Sequence, residues 1–563
     1  MLRARSTIFP EKEMENDVKK ITLAVCAAML CTSAFSCGNT DRGTGTGHMF
    51  DVPLLGDPES LDPQFASDPS SATVIKNLYS GLMMTDSSGA VKCCNAESYD
   101  ISEDGTVYTF TLRQDNYWFY DTNSDDVIDD EECFNVTAED YVFALQRVLD
   151  PKMQSPYAEE FSCIKGASEI AEGLISAESA EVYAVDRYTL MIVLEHPCAE
   201  FLRLLCSAGA YPCNKEFFLS TKGRYGLDDR SVMSNGAFYV RQWFYDPYGV
   251  NNILFMRRNG KNWTDDYEIA PSYLSFYIQR SEEEVRAAFK DESIECFTSM
   301  SSSPYNPKKY YIEGIPATTL GLIFNPEDKY YSNLSLRMAL AKSIDRDSLE
   351  SQLKSDVQCA RGVIPPAVSV LGRSYRELSS DRQFDEFDKE KALELYAQAK
   401  QELGTESIET VKILVNAETV DSGYLHSLSQ RWQELFGSYI GIEDVTAEQF
   451  EERIAAGDYS IALYPVRGEL PLGSSCLRQF ETVERLRSEE TDELGLTEKV
   501  MSCPDPSELV EAYTSAEREL LGQYTFIPLF YKNSYLIADR DNEQIVYDPF
   551  TGAVDYRQAL NYS

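Results

Sequence analysis

A twelve-residue acidic segment, Asp121 to Glu132, carries oxygen ligands at the spacing of a calcium-binding loop. The candidate ligands, at loop positions one, three, five, seven, nine and twelve, are Asp121, Asn123, Asp125, Val127 through its carbonyl, Asp129 and Glu132. Asp126 stands where such loops carry a glycine for the sharp turn. The segment is therefore a candidate structural calcium site. An acidic surface insertion that binds no ion is the alternative.

Side chains that perform catalysis are scarce and scattered in this chain. The three histidines, His48, His196 and His426, lie far apart in the sequence. No pattern of a zinc hydrolase, a serine hydrolase or a phosphate-binding loop occurs. A catalytic nucleophile needs a base held beside it, so this distribution predicts a protein that binds without catalysis. No pattern in the chain requires a cofactor.

The cysteines do not follow a metal-binding pattern. None of the 14 cysteines is spaced C-x-x-C, the arrangement of structural zinc sites and dithiol redox motifs. Cys26 and Cys31 lie in the predicted signal peptide described below and Cys37 is the candidate lipid anchor, so 11 cysteines remain (14 minus 3), an odd number that cannot all pair within one molecule. Buried free thiols are therefore predicted. The alternative is bonding between Cys93 and Cys94 and among Cys198, Cys206 and Cys213.

The first residues have the features of an export signal. Lys19 and Lys20 precede an apolar stretch that begins at Ile21, and small residues then lead to Cys37. Residues 1–36 are therefore predicted to be a signal peptide. Translation from Met14 would leave residues 1–13 out of the protein.

Cys37 is the candidate lipid anchor of the exported chain. The residues before it resemble a lipoprotein processing site, although Phe35 and Ala34 depart from the usual pattern, so cleavage after Ser36 without a lipid is the alternative. Residues 37–48 are rich in glycine and predict a flexible tether. No other apolar run reaches the roughly 18 residues that span a bilayer.

The charge of the chain excludes several classes of partner. Its 563 residues hold 92 acidic and 51 basic side chains, a net charge of −41. Nucleic-acid binding needs the opposite sign, as does docking on an anionic membrane through a basic patch. The length predicts two to four domains, and a hydrophobic fraction of 43% is that of a globular protein.

Strand and helix patterns alternate along the chain. Alternating apolar residues in TVYTFTLR and TLMIVL predict strands, whereas AEDYVFALQRVL and KEKALELYAQA have helical spacing. In the run from Leu322 to Arg346 a buried strand is followed by a helix pair, for which Asn333 and Asp345 are placed as caps. The fold class predicted from these patterns is mixed α/β.

The same run, LIFNPEDKYYSNLSLRMALAKSIDR, resembles the central signature of the bacterial extracellular solute-binding proteins of the peptide and nickel family. Other segments resemble this family in the same order, from about residue 50 to the end. They include NLYSGLMMTDSSGAV, VTAEDYVFALQRVLDP, SPYA, SNGAFYVRQW, GVIPP, IPLFY and YDPFTGAVDYRQA.

This resemblance implies a two-lobed, periplasmic-binding-protein-like fold of type II, in its three-domain peptide-binding variety, with a hinge and a ligand cleft between the lobes. Lobe I would consist of residues 49–73, 185–298 and 521–563. An inserted second domain would be residues 74–184, and lobe II residues 299–520.

The resemblance also implies the ligand contacts. Ser67 and Asp68 lie where the family chain runs beside the ligand main chain, and Tyr157 in SPYA matches a tyrosine of the cleft. Val466 replaces a tryptophan of the family, and Glu469 stands at the acidic position that neutralises a peptide amino terminus. Arg467 would pair with Glu469 or with a ligand carboxylate. A solvated loop at Glu469 and ordinary packing at Tyr157 are the alternatives.

The function implied is that of the substrate-binding component of an ABC importer, which captures oligopeptides and delivers them to a permease. Its partners would be the permease and ATPase subunits, with contact to the membrane only through the lipid anchor, no nucleic acid and a monomeric state. We expect it on the outer face of the cytoplasmic membrane, or in the periplasm where an outer membrane is present. A nickel complex, an oligosaccharide or a signalling peptide is the alternative ligand, and a surface hydrolase or adhesin the alternative class.

Overall fold

The computed structural model describes residues 47–86, 89–121, 129–244, 246, 252–261, 269–379 and 387–562. The predicted signal peptide, Cys37 and most of the tether lie outside these residues. Asn123, Asp125 and Val127 of the acidic segment lie outside them as well. No helix within the described ranges is long and apolar enough to cross a membrane.

The first sheet has four strands and contains the start of the described chain. In spatial order its strands are Met49–Leu55, Tyr273–Gln279, Ile253–Arg258 and Phe238–Phe244. The first strand is parallel to its neighbour and the other pairs are antiparallel. Phe50, Val52 and Leu54 are buried on one face of the sheet, as the period of two requires.

A second four-stranded sheet combines strands of the segment predicted to be inserted, residues 74–184, with strand Thr189–Val193 from the segment predicted for lobe I. Its strands, all antiparallel, are in order Ala96–Ile101, Val107–Leu112, Thr189–Val193 and Val182–Asp186. The helix Ala138–Leu149 packs on this sheet and begins with a capping box, in which the Asp140 carboxylate accepts a hydrogen bond from the Thr137 N–H at 2.8 Å. Two hairpins lie beside it, Met83–Thr85 with Val91–Cys93 and Tyr117–Phe119 with Cys133–Asn135.

The largest sheet has seven strands and is built around two long antiparallel strands. Its order is Cys296–Ser299, Phe526–Asp539, Tyr310–Phe324, Ile461–Val466, Val411–Asn416 and Ile440–Val445, and Val357–Cys359 pairs with the second of these. The sheet therefore takes strands from segments assigned to both predicted lobes. The lobe boundaries themselves stay a prediction.

The two long strands approach each other so closely that one position requires glycine. A Cβ atom at Gly321 would lie 2.2 Å from the Phe526 ring. Strand Cys296–Ser299 pairs near one end of the long pair and Ile461–Val466 near the other end. The pair is thus the continuous connection between the two ends of this sheet.

The helix pair predicted from the run Leu322 to Arg346 forms as its residue pattern predicts. The Asn333 side chain accepts a hydrogen bond from the Leu336 N–H at 2.9 Å and caps Leu334–Lys342. The Asp345 side chain caps Arg346–Glu350 through the Ser348 N–H at 3.1 Å. The Arg346 guanidinium then donates to the carbonyls of Ala360 at 3.1 Å and Pro528 at 2.9 Å, so it joins this helix to the long strand.

The remaining helices cover the faces of the sheets. Those of the described residues are Pro69–Leu78, Ala167–Ala171, Phe201–Leu204, Lys215–Ser220, Glu282–Lys290, Tyr375–Leu378, Lys389–Glu402, Gly423–Phe436, Ala447–Ala456, Gly473–Thr482, Glu489–Asp492, Leu496–Met501 and Leu509–Leu521. Short strand pairs are Ser369–Val370 with Arg373–Ser374, Asn542–Glu543 with Leu560–Asn561, and Val546–Tyr547 with Val554–Asp555.

Candidate ligand-binding site

A cavity of about 620 Å³ lies where segments far apart in the sequence meet. Four of the six predicted ligand contacts line it, namely Ser67, Tyr157, Arg467 and Glu469. A volume of this size falls within the range of small-molecule sites, roughly 300–1,000 Å³. The structure therefore brings together most of the residues that the family resemblance singled out.

The other two predicted residues do not line this cavity. The Asp68 carboxylate caps the helix Pro69–Leu78 by accepting a hydrogen bond from the Ser71 N–H at 2.9 Å. Val466 is 2% exposed and ends the strand that pairs with Thr319, so its side chain belongs to the core. Ligand contact by the backbone at these two positions stays a prediction.

Tyr157 is held rigidly at the wall of the cavity. Its hydroxyl donates a hydrogen bond to the Ala66 carbonyl at 3.2 Å, and its ring packs against Gly209. The Ser155 hydroxyl donates to the Gln64 carbonyl at 2.7 Å, so this loop is tied to the turn before Ser67. Burial raises the pKa of Tyr157, and its side chain is therefore a neutral hydrogen-bonding group.

That turn is anchored from behind by a buried ion pair. The Arg147 guanidinium donates to the Asp62 carboxylate at 3.1 Å and to the Gln64 side-chain oxygen at 2.8 Å. Its other terminal nitrogen also pairs with Asp62, and the guanidinium stacks 4.2 Å from the centre of the Phe218 ring. The position of Ser67 thus depends on an arginine in the helix Ala138–Leu149.

The loop that carries Arg467 and Glu469 is shaped by its backbone hydrogen bonds. The N–H groups of Glu469 and Leu470 both donate to the Ser475 hydroxyl, at 3.0 and 3.2 Å. Arg467 donates to the Pro549 carbonyl at 3.2 Å. Among the described residues, the Glu469 carboxylate has no ion pair, with Arg467 or with any other cation.

The pKa of Glu469 is consistent with a carboxylate that is partly buried and has no ion pair among the described residues. Burial raises it above its ordinary value, the nearby Glu160 raises it further, and Arg467 lowers it. A carboxylate that is partly desolvated and unpaired would gain from a cation placed beside it. Glu469 is therefore chemically suited to a ligand ammonium group.

Lys532 is a site residue that the sequence interpretation missed. It lies in the long strand Phe526–Asp539, is 5% exposed, and lines the cavity. Its ammonium group donates to the Met300 carbonyl at 3.1 Å, and burial lowers its pKa. The signal was present in the sequence, because the run FIPLFYKNSYLIA is largely apolar and lysine is rarely buried unless its charge has a partner.

Buried polar contacts join segments that are far apart in the sequence. Glu160 and Arg478 form a buried ion pair at 2.6 Å. Glu200 accepts a hydrogen bond from the Ser474 N–H at 3.3 Å and another from the Tyr513 hydroxyl. These contacts join segments predicted to belong to the inserted domain and lobe I with helices predicted to belong to lobe II.

In the described part of the acidic segment, one of the candidate calcium ligands already forms a hydrogen bond within the protein. The Glu132 carboxylate is buried and accepts a hydrogen bond from the Asp129 N–H at 3.3 Å in the short turn Asp130–Glu132. Asp130 pairs with Lys261. Asp121 is also described, but Asn123, Asp125 and Val127 are not, so the calcium site stays a prediction.

The predicted free thiols are present where disulfides were the alternative. Cys94, Cys198, Cys206 and Cys213 are unbonded and lie largely within the protein interior. Burial raises the pKa of Cys206 and of Cys213 to about 12, so both are neutral thiols.

Residues 92–483 match the family model described as bacterial extracellular solute-binding proteins, family 5 (middle). Because this match covers more than half of the chain, the protein belongs to that family. Its predicted membership is confirmed.

Individual relatives agree with this assignment. The chain is 23% identical to the oligopeptide-binding protein OppA of Bacillus subtilis over 518 residues, which cover 89% of this chain and 91% of the relative. It is 24% identical over 544 residues to the dipeptide-binding protein of Lactococcus lactis, covering 91% and 92% of the two chains.

A solved structure establishes the fold. The structure of Listeria monocytogenes OppA bound to peptide superposes with a TM-score of 0.64 at 21% identity, covering 92% of this chain and 99% of that one. The predicted α/β, periplasmic-binding-protein-like fold is thereby confirmed.

Proposed function

We propose that this protein is the extracellular substrate-binding component of an ABC importer, which captures oligopeptides and delivers them to the permease. The observation that carries the proposal is the cavity lined by an unpaired carboxylate, Glu469, and by two cations, Arg467 and Lys532. An oligopeptide has an ammonium group at one end and a carboxylate at the other. Charge-assisted hydrogen bonds to both ends suit such a ligand. The names of the peptide-binding relatives support the same assignment.

Each predicted contact has a role in this proposal. Glu469 pairs with the peptide ammonium, and Arg467 or Lys532 pairs with the carboxylate. Tyr157 forms a rigid wall, while the chain around Ser67, Asp68 and Val466 offers backbone groups to the peptide main chain. Backbone contacts of this kind tolerate many side-chain sequences.

The protein itself breaks no bond in this proposal. ATP hydrolysis takes place in separate ATPase subunits, and the binding protein acts as a monomer. Cys37 carries the lipid that keeps the exported chain on the outer face of the cytoplasmic membrane, or in the periplasm where an outer membrane is present.

The test is to identify by mass spectrometry the small molecules that copurify with the protein, and then to measure peptide affinity by calorimetry. We expect copurified peptides. N-acetylation of a peptide, or the substitution Glu469→Gln, should each weaken binding about tenfold or more, because a charge-assisted contact contributes roughly 1.5–3 kcal/mol. Gln479→Glu, which adds a carboxylate to the same cavity wall, serves as a matched control and should not weaken ammonium binding.

Other outcomes would point elsewhere. Copurified sugars or nickel complexes, without affinity for peptides, would assign a different solute. Turnover of a bound peptide would assign a surface hydrolase, and the absence of any small ligand would favour an adhesin.

For the acidic segment we propose a structural calcium ion held by Asp121, Asn123, Asp125, Val127, Asp129 and Glu132. Calcium in the millimolar range should raise the thermal unfolding temperature, since a ligand that binds only the folded state stabilises it. Magnesium at equal concentration is the control. An unchanged unfolding temperature would contradict the proposal.

A further inference from the structure

A second, smaller cavity of about 80 Å³ adjoins the candidate ligand cavity. Ala72, Tyr157 and Thr551 line both cavities. The chain also passes directly from one to the other, because Glu469 lines the large cavity and Leu470 lines the small one. A ligand group held at Glu469 would therefore lie near the side cavity.

The side cavity has an excess of positive charge. Lys76, in the helix Pro69–Leu78, lines it and has neither a hydrogen bond nor an ion pair from its ammonium group within the described residues. Arg203 also lines it, and within the described part of the chain its guanidinium donates to neutral acceptors only, the carbonyls of Pro471 at 3.2 Å and Gly89 at 2.6 Å. Two cations thus face the cavity without a carboxylate bonded to either.

The acidic groups near these cations are already engaged. Asp548 lines the side cavity, but its carboxylate accepts hydrogen bonds from the Phe550 N–H at 3.0 Å and the Thr551 hydroxyl at 2.8 Å. Asp555, which lies behind Lys76, forms a bidentate pair with Arg557. The positive charge of Lys76 is therefore left for a group that enters the cavity.

Lys76 keeps its charge at neutral pH. Tyr211 is the largest cause of a raised pKa at Lys76, burial opposes it, and Asp555 adds to the rise. The neighbouring Cys206 is a neutral thiol and supplies no compensating negative charge. The remaining lining near Lys76 includes small or aliphatic side chains such as Ile75, Ala208 and Leu472.

We propose that this side cavity is a specificity pocket for a carboxylate, supplied by an aspartate or glutamate side chain near the amino terminus of the bound peptide, with Lys76 as its charge partner. The inference rests on the proposed peptide-binding function and names the ligand class more closely. The cavity is small, at about 80 Å³, and adjoins the candidate ligand cavity, so it can receive a short acidic side chain of a bound peptide.

The test uses calorimetry of the exported chain with tetrapeptides that differ only by aspartate or asparagine at the first, second or third position. In the unmodified protein, one of these positions should favour aspartate about tenfold or more. The substitution Lys76→Met should abolish that preference and leave the affinity for the asparagine peptide unchanged, whereas Lys76→Arg should retain the preference. Lys308→Met, which removes an exposed lysine, is the matched control and should change nothing.

Peptides with an amidated carboxyl terminus distinguish the two sources of carboxylate. If amidation alone abolishes the dependence on Lys76, the pocket binds the terminal carboxylate of a short peptide instead of a side chain. Equal affinity for aspartate and asparagine peptides at all positions, or an unchanged preference in Lys76→Met, would overturn the pocket while leaving the peptide-binding function intact. Failure of every peptide to bind the unmodified protein would overturn both proposals.

Discussion

The buried Glu517 in the body of this protein has a cationic partner, whereas two charges that line the candidate ligand cavity, Glu469 and Lys532, have no ion pair among the described residues. Glu517 accepts hydrogen bonds from the N–H groups of Val363 and Ile364, both at 2.7 Å, and pairs with Arg376 at 2.9 Å. By contrast, Glu469 has no ion-pair partner among the described residues, and Lys532 donates only to a neutral carbonyl.

This difference separates charges that stabilise the folded state from charges that lower its stability. A buried charge without a partner lowers stability, because its desolvation is not offset by an opposite charge. Paired charges such as Glu517 hold the fold together. Unpaired charges in a cavity have a stability cost that a ligand can offset.

Breaking a paired site should have the largest effect on stability. The substitution Glu517→Gln removes the charge that Arg376 faces and turns one oxygen into a donor opposite other donors. We expect a loss of about 3–5 kcal/mol in the free energy of unfolding, measured by urea denaturation.

The matched control lies two residues further along the same helix. Glu519 forms only a partly exposed ion pair with Lys499, so Glu519→Gln should cost less than about 1 kcal/mol. Equal losses in the two variants would remove the distinction between paired core charges and surface pairs.

Local features of the fold were predictable from the sequence because their causes are local. Asn333 and Asp345 cap helices that start within three residues of them, and the burial of Leu336, Ala339 and Leu340 follows from helical spacing. The family motifs then located Tyr157, Arg467 and Glu469, which do line one cavity.

Features that depend on distant contacts were not predictable in this way. Glu517 and Arg376 are separated by 141 residues, and the local sequence around either residue does not predict their contact. The family motif places Val466 at a ligand contact, but its side chain is buried in the core beside the large sheet. The side cavity at Lys76 is lined by a helix, by the loop after strand Ile461–Val466 and by a turn near the carboxyl terminus. These segments are distant in the sequence and meet only in the folded chain.

Glu295 and Asp51 form a like-charged pair in the body of the protein, for which we expect a smaller effect on stability. The Glu295 carboxylate accepts a hydrogen bond from the Asp51 N–H at 2.6 Å, and burial together with the Asp51 charge raises its pKa from 4.5 to about 8. Between these two values the folded state keeps a proton that the unfolded state releases. The stability due to this proton is therefore complete below about pH 4.5 and is lost as the pH rises to about 8.

We expect Glu295→Gln to flatten this dependence. Relative to the unmodified protein, it should be more stable at pH 8 and almost unchanged at pH 5, as measured by urea denaturation at both values. Glu283→Gln, at an exposed position of a nearby helix, is the control and should follow the unmodified protein at both pH values. A parallel pH profile for Glu295→Gln would show that Glu295 is ionised in the folded state throughout this range.

The smallest change in stability, but the one closest to function, is expected at Lys532. Burial lowers the pKa of this lysine, and among the residues that the structure describes its ammonium group has only the Met300 carbonyl as an acceptor. Lys532→Met fills the same volume without a charge, so we expect it to raise the free energy of unfolding by about 1 kcal/mol while weakening peptide binding about tenfold. Urea denaturation and calorimetry on the same preparation measure the two effects, and Lys308→Met should alter neither. If the Lys532 charge serves ligand binding, its removal should increase stability and decrease affinity. A variant that lost stability without losing affinity would instead place Lys532 with the structural charges of the core.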